Sequence, residues 1–345
     1  MHNENPADAR ASALHAFLAD ALHPAQFSVA PASSDASFRR YFRATLHGAC
    51  RIAPGAGSLI AMDAPPPHED CRPFVRIAAL LEQAGVHAPR VLAQDVERGF
   101  LLLTDLGTTM YLDALDAASA PRLYSDAIDA LVRWQRATRD GVLPPYDESV
   151  LARELSLFPD WYVARHLDRT LDADQRNALA ATFRAILANN LAQPRVYVHR
   201  DYHSRNLMVA TPNPGVLDFQ DALHGPVTYD LVSLLRDAYV EWDEERQLDW
   251  AIRYWERARD AALPVAADFA DFWRDFEWMG VQRQLKVLGI FARLFHRDGK
   301  DVYLAHMPRV MRYVRKAAGR YRELDALARL LDALEERPAT VGYTF

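Results

Sequence analysis

The stretch from Val196 to Phe219 constrains this 345-residue chain more than any other. It alternates short apolar runs (VYVH, LMVA, VLDF) with tight polar loops (RDYHSRN, TPNPG), while the sequence on either side is helical in pattern. Apolar runs this short, closed by Pro and Gly, read as strands joined by turns. Two of the loops carry ionisable or amide side chains at fixed spacing. His199, Arg200, Asp201 and Asn206 lie on the first, and Asp218 closes the apolar run that follows the Pro/Gly turn.

Around this insert the pattern divides the chain in two. Leu14, Phe17, Leu18 and Leu22 recur at helical spacing, so the N-terminus predicts an amphipathic helix. Extended stretches follow: QFSVAPASS and RRYFRATL about the polar turn SSDAS, then SLIAMDA, then RVLAQDV and GFLLLTDL about the turn Glu97-Arg98-Gly99. One helix is predicted among them, from Phe74 to Ala84. Gly55 and Gly57 form a G-x-G that nothing extends, and a hairpin turn is the better reading. Beyond Gly107 the segments 119–138, 148–168 and 173–191 predict helices, the last with Asp172 as N-cap, and helices resume from Tyr229. The reading is therefore an α+β, bilobal chain: a small β-rich N-lobe over 1–105 and a large helical C-lobe over 106–345.

Composition narrows the function classes. A net charge of −6 offers no general basic field, so nucleic acid is a poor partner. The N-terminus is interrupted by Glu4, Asp8 and Asp20, and no uncharged run reaches the eighteen or so residues of a membrane span. Cys50 and Cys71 form no C-x-x-C pair and read as reduced thiols. These features predict a cytoplasmic protein with neither membrane nor nucleic acid as partner; small-molecule partners and a monomer are further expectations that composition does not itself show.

The pattern H-R-D-x-x-x-x-N at 199–206 has a specific physical logic. Its Asp can accept the proton of an attacking hydroxyl while its Asn reaches a magnesium ion on nucleotide phosphates. One loop then serves acceptor and metal at once. Asp218, twelve residues after Asn206, stands where a second metal-binding carboxylate is needed. Two blander readings compete. Asp201 and Asn206 could be helix-capping side chains of a solvated turn. Asp201 and His203 could be two ligands of a hydrolytic metal site, although no HxH or HExxH accompanies them.

These residues resemble the core of the aminoglycoside phosphotransferases and the related choline and homoserine kinases. HRDYHSRNLMV, GVLDFQD and VTYDLVSLL carry the likeness, tightest over 196–240. The stretches SSDASFRRYFR, IAMDAPPPHED, GFLLLTDLG and GVQRQLKVLGIFARL look more narrowly like a branch of bacterial anomeric kinases of N-acetylmuramate and N-acetylglucosamine. The resemblance implies a protein-kinase-like fold, ATP as co-substrate and Mg2+ as cofactor. Asp201 would be the catalytic base, Asn206 and Asp218 the metal ligands, and the product an α-1-phosphate for peptidoglycan recycling. His199 and Asp230 would be structural, Asp230 by accepting backbone hydrogen bonds from the catalytic loop. Ser33, Ser34, Asp35 and Ser37 would form the turn that covers the phosphates. Leu103, Thr104, Asp105 and Leu106 would form the adenine hinge. His203, Arg205, Asp221, Trp161, Arg283 and Lys286 are the candidates for the sugar site, the last two because they lie three apart on one helix face and could meet the lactyl carboxylate of N-acetylmuramate. A solvated helix face is the competing reading of that pair. Another small acceptor, or a nucleotide-binding scaffold without turnover, stays open.

One departure stands out. The third strand carries Met62 where such folds hold a phosphate-clamping Lys, and Phe74 stands where the partner Glu is expected. Arg40 or Arg43, on the preceding strand, could supply the missing cation.

Overall fold

The computed structural model describes residues 6–34, 38–66 and 68–335. Asp35 and Ser37 of the predicted phosphate-covering turn lie outside them, as do the side chains of Ser33 and Ser34. The chain divides into two compact units, Met1–Met110 with Leu207–Asp221, and Tyr111–Asn206 with Ala222–Phe345.

The first unit is built on a five-stranded antiparallel sheet. It comprises α1 (Pro6–Leu22), β1 (Gln26–Ser34), β2 (Arg40–His47), β3 (Ser58–Asp63), α2 (Arg72–Gln83), β4 (Val91–Asp95) and β5 (Phe100–Thr104), with sheet order β1-β2-β3-β5-β4. β5 (FLLLT) is almost wholly buried because it sits between β3 and β4. A strand covered on both faces reads as a continuous apolar run rather than an alternating one. The helix predicted from Leu14, Phe17, Leu18 and Leu22 packs those residues against Leu46, Leu59, Phe100 and Leu102 of the sheet. The turn at Glu97-Arg98-Gly99 depends on its glycine. Gly99 has φ +73°, and a Cβ there would stand 1.9 Å from the Ala64 carbonyl oxygen.

The strand-and-loop insert is shared between the two units. Within the first unit, Val209 N donates to Thr109 O at 2.9 Å, and Val216 N donates to His87 O at 2.8 Å. Those backbone bonds bring the Leu207–Asp221 hairpin into this unit, while Asp201 and Asn206 belong to the second.

The second unit is helical: α3 (Tyr111–Ala114), α4 (Ala120–Arg136), α5 (Glu148–Leu157) and α6 (Ala173–Ala192), then β6 (Arg195–Val198). The hairpin strands β7 (Leu207–Met208) and β8 (Gly215–Val216) belong to the first unit. In the second, β9 (Leu223–Pro226) pairs antiparallel with β6, followed by α7 (Tyr229–Leu235), α8 (Glu244–Asp260), α9 (Phe269–Asp298), α10 (Met307–Ala318) and α11 (Asp325–Leu334). Asp172 caps α6 as expected, its side chain accepting from Gln175 N in a reciprocal capping box. The predicted 148–168 helix changes character at Phe158 and finishes as a π-helical stretch to His166. Gly289 of the 30-residue α9 meets the chain there, and a Cβ at Gly289 would lie 2.4 Å from the Leu157 carbonyl. No helix among the described residues is long and apolar enough to cross a membrane.

Asp105, just past β5, ties the sheet of the first unit together. Its carboxylate accepts from Arg43 Nε at 2.6 Å, Ser58 Oγ at 2.7 Å and Gly107 N at 2.9 Å. Burial alone would raise this carboxyl, but those donors outweigh it and hold Asp105 below the ordinary range. A depressed carboxyl contributes stability that is present above its unfolded pKa and lost as the pH falls through its folded one. Asp105→Asn should therefore lose about 1–3 kcal/mol at neutral pH in denaturant unfolding. The gap to wild type should close as the pH drops below about 4.

Candidate active site

The loop after β6 is held in an unfavourable backbone shape by one buried carboxylate. Arg200 has φ +79°, a left-handed conformation that costs a side-chain-bearing residue about 1–2 kcal/mol. Asp230, fully buried in the first turn of α7, accepts from His199 N at 2.6 Å and Arg200 N at 2.9 Å. Two backbone hydrogen bonds to this side chain contribute about 0.5–1.5 kcal/mol each, enough to offset that strain. Burial pushes Asp230 up to about 7, with the two backbone donors working against it. Further along, Ser204 N donates to Asp237 Oδ2 at 2.9 Å and Leu112 N donates to Ser204 O at 3.1 Å. Asn206 Nδ2 donates to the Asp201 carbonyl at 2.9 Å.

Asp201, half-buried, stands among cations. Burial would raise its carboxyl, but Lys286, His203, Arg283 and Arg200 outweigh it and hold Asp201 below the ordinary carboxylate range. Burial, with Arg283 and Arg205, lowers His203 against the pull of Asp237 and Asp201. The cations are organised by Glu154 on α5, a residue the sequence reading passed over. Glu154 pairs with Arg200 at 2.7 Å and Lys286 at 2.9 Å and accepts from the Tyr146 hydroxyl. Lys286 also donates to Tyr229 Oη at 2.9 Å. Nothing in the local sequence about Glu154 sets it apart from a surface Glu on an amphipathic helix. Only the packing of α5 against α9 buries it.

Arg283 and Lys286 do share a face of α9, but that face is not solvated. Arg283 is 4% exposed and Lys286 7%. The Arg205 guanidinium lies over the rings of Tyr239 at 4.9 Å and Tyr303 at 5.9 Å. Tyr239 in turn meets His203 edge-on. Trp161 is half-buried in the π-helical stretch, and Trp278 is core, beneath the Arg274 guanidinium. Asp221 is exposed.

In the first unit, Asp218 also has a left-handed backbone, φ +60°, and accepts from Gln220 Nε2 at 2.8 Å. The neighbouring Phe219 is fully buried against Phe74 of α2, ring centroids 4.6 Å apart. Met62 is fully buried on β3. The two positions where a Lys and a Glu are missing are thus both apolar core. Arg40 bonds the buried Asp63 carboxylate, which also accepts from Arg10 Nε at 2.8 Å, and Arg43 bonds Asp105. Arg39 is the cation beside Asp218, at 3.8 Å, and it also faces Glu69 at 3.9 Å. Sequence reasoning passed over Arg39 because three arginines in five positions, Arg39, Arg40 and Arg43, cannot be ranked without knowing which carboxylate each meets. Strand pairing continues through Thr104, so the backbone that leaves the ladder is Asp105–Leu106.

Asn206 in the second unit and Asp218 in the first each carry an oxygen of the kind that magnesium takes. An amide oxygen on Asn206 and a carboxylate on Asp218 are hard oxygen ligands, and Mg2+ characteristically takes one or two such side chains together with phosphates and water. Asn206 Nδ2 is engaged by the Asp201 carbonyl, which fixes the side chain on its loop. Among the described residues no group of three or more His, Cys, Asp or Glu side chains could hold a metal, as a hydrolytic site around Asp201 and His203 would need.

Residues 28–269 match the phosphotransferase enzyme family. The chain belongs to that family. Within it, the chain is 55% identical over 306 residues to the N-acetylmuramate/N-acetylglucosamine kinase of Pseudomonas aeruginosa, covering 89% of this chain and 88% of the relative. It is 48% identical over 324 residues to the protein of the same name from Neisseria meningitidis, covering 92% and 94%. Among solved structures it superposes on a choline/ethanolamine kinase family protein from Mesorhizobium loti with a TM-score of 0.60 at 17% identity, covering 95% and 99%. The last likeness shows the phosphotransferase fold, α+β with β-rich and helical parts.

If Asp230 is what holds the loop, Asp230→Ala should free the His199 and Arg200 amides. Their hydrogen exchange should accelerate about 10–100-fold, while amides of α9 keep wild-type protection.

Proposed function

We propose that this phosphotransferase moves the γ-phosphoryl group of ATP to the anomeric C1 hydroxyl of N-acetylmuramate and N-acetylglucosamine. The product is the α-1-phosphate, and the role is peptidoglycan recycling in the cytoplasm. The observation that carries the proposal is the Asp201 carboxylate, kept ionised on a loop that Asp230 fixes from behind. The sugars come from the relatives, which bear that name at about half identity over most of both chains.

In this reading Asp201 orients the anomeric hydroxyl and takes its proton as the oxygen attacks phosphorus. A hemiacetal hydroxyl is more acidic than an ordinary alcohol, so a base with a depressed pKa suffices. Phosphoryl transfer through a loose transition state asks mainly for positioning and charge neutralisation. Asn206 and Asp218 would hold magnesium, which would supply the neutralisation of phosphate charge. Arg39, braced by Glu69, is the cation we assign to the phosphates in place of the absent third-strand Lys. Asp105–Leu106 offer backbone groups to the adenine edge. Lys286, Arg283 and Arg200 around Asp201 suit a neutral or acidic sugar and oppose a polycationic acceptor such as an aminoglycoside.

The test is ³¹P NMR of the protein with Mg-ATP and each sugar. A new phosphate coupled to the anomeric proton is expected, and Asp201→Asn should slow its appearance about 10²–10⁴-fold with little change in KM for ATP. A C6 phosphate would overturn the site of transfer, and tight Mg-ATP binding without any sugar phosphate would leave a nucleotide-binding scaffold. Separately, Arg39→Ala should raise KM for ATP about 10-fold or more, whereas removal of a surface charge would leave it unmoved.

A further inference from the structure

Four cations stand in or beside the catalytic loop, and three of them are already answered. Arg200 and Lys286 share the Glu154 carboxylate. Arg205 lies against the faces of Tyr239 and Tyr303. Arg283 is different. It is 4% exposed, and its Nε and Nη1 are buried with no hydrogen-bond partner among the described residues. A buried guanidinium without acceptors is costly, and native structures keep one where a ligand or other bound group completes it. Nor is its direction loose. On either side of it, Gln282 Nε2 donates to Leu151 O at 2.9 Å and Gln284 Nε2 donates to Arg236 O at 2.7 Å, which fixes the rotation of α9.

We infer that Arg283 is the specificity residue that receives the carboxylate of an acidic sugar acceptor, and that Lys286, one turn further along α9, is not. This rests on the sugar-kinase reading above. N-acetylmuramate differs from N-acetylglucosamine by a lactyl ether on C3 that ends in a carboxylate, while the reacting hydroxyl is on C1. The carboxylate's partner must therefore stand near the base without bonding to it. Arg283 meets that condition: its charge is felt by Asp201, yet no hydrogen bond joins the two. The planar fork of an arginine matches a carboxylate in two parallel bonds. Lys286 is spent on Glu154 and Tyr229 and has a structural task, holding the network that includes Arg200.

The experiment compares kcat and KM for the two sugars in wild type, Arg283→Met and Arg283→Lys, and adds the carboxamide of N-acetylmuramate as a third acceptor. Arg283→Met is expected to lower the N-acetylmuramate to N-acetylglucosamine ratio of kcat/KM about 10–100-fold, through KM, with partial recovery in Arg283→Lys. Wild type should show a similar penalty for the carboxamide, an arm that decides the matter even if Arg283→Met does not fold. Equal losses on both sugars in kcat would place Arg283 on the phosphoryl group and overturn the assignment. So would a wild-type enzyme indifferent to acid and carboxamide. Turnover of neither sugar by wild type would instead overturn the sugar-kinase reading itself, and this assignment with it.

Discussion

The Asp230 carboxylate, accepting the backbone N–H groups of His199 and Arg200, is the contact on which the loop of the second unit depends. Arg200 cannot hold a positive φ by its own preference, and without it the chain would not turn so as to present Asp201. Asp230 can do this because α7 begins directly behind the loop, in the segment that follows β9, and β9 is paired to β6, the strand that feeds the loop. One short ladder thus brings the carboxylate and the strained backbone to the same place.

The side chains around the loop are organised by a second buried acid. Glu154 gathers Arg200, Lys286 and the Tyr146 hydroxyl, so that its own charge is satisfied and two cations are fixed in place. Such a network adds little net stability compared with an apolar core, since desolvation consumes most of the Coulomb energy. Its effect is positional. Lys286 is immobilised, Arg200 is held by side chain as well as backbone, and the potential around Asp201 stays positive. The same logic recurs in the first unit, where Asp105 collects Arg43, Ser58 and Gly107 and locks the end of β5. In each unit a buried carboxylate sets the shape of the chain next to residues that carry the proposed chemistry.

The first unit also shows how a missing pair is accommodated. Met62 and Phe74 occupy the positions of a Lys and a Glu, and both are core, Phe74 packing on Phe219 beside Asp218. Losing both partners together avoids a lone buried charge, which would be far more costly than either packed apolar side chain. An arginine and a glutamate face one another nearby instead, Arg39 and Glu69, with Arg39 also next to Asp218. In the proposed reading the phosphate cation is Arg39, just before β2, rather than a residue of β3.

Much of this was legible in the sequence. The 3.6-residue spacing of Leu14, Phe17, Leu18 and Leu22 marks α1, and the apolar run FLLLT marks a strand covered on both faces. His199 to Asn206 and Asp218 carry the spacing from which the proposed chemistry is read, because a loop that serves a hydroxyl and a metal together tolerates little change in spacing. The spacing of Arg283 and Lys286 placed them on one helix face, and it could not say that the face was buried. Burial, and which carboxylate each cation meets, were decided only by tertiary structure. Glu154 looks like any glutamate on an amphipathic helix until α9 packs across it. Arg39, Arg40 and Arg43 are alike in sequence and separate only when Asp218, Asp63 and Asp105, each far along the chain from its partner, come within reach. Local periodicity and loop spacing are written in neighbouring residues. The pairing of buried charges is a long-range property, fixed by which elements the fold sets side by side.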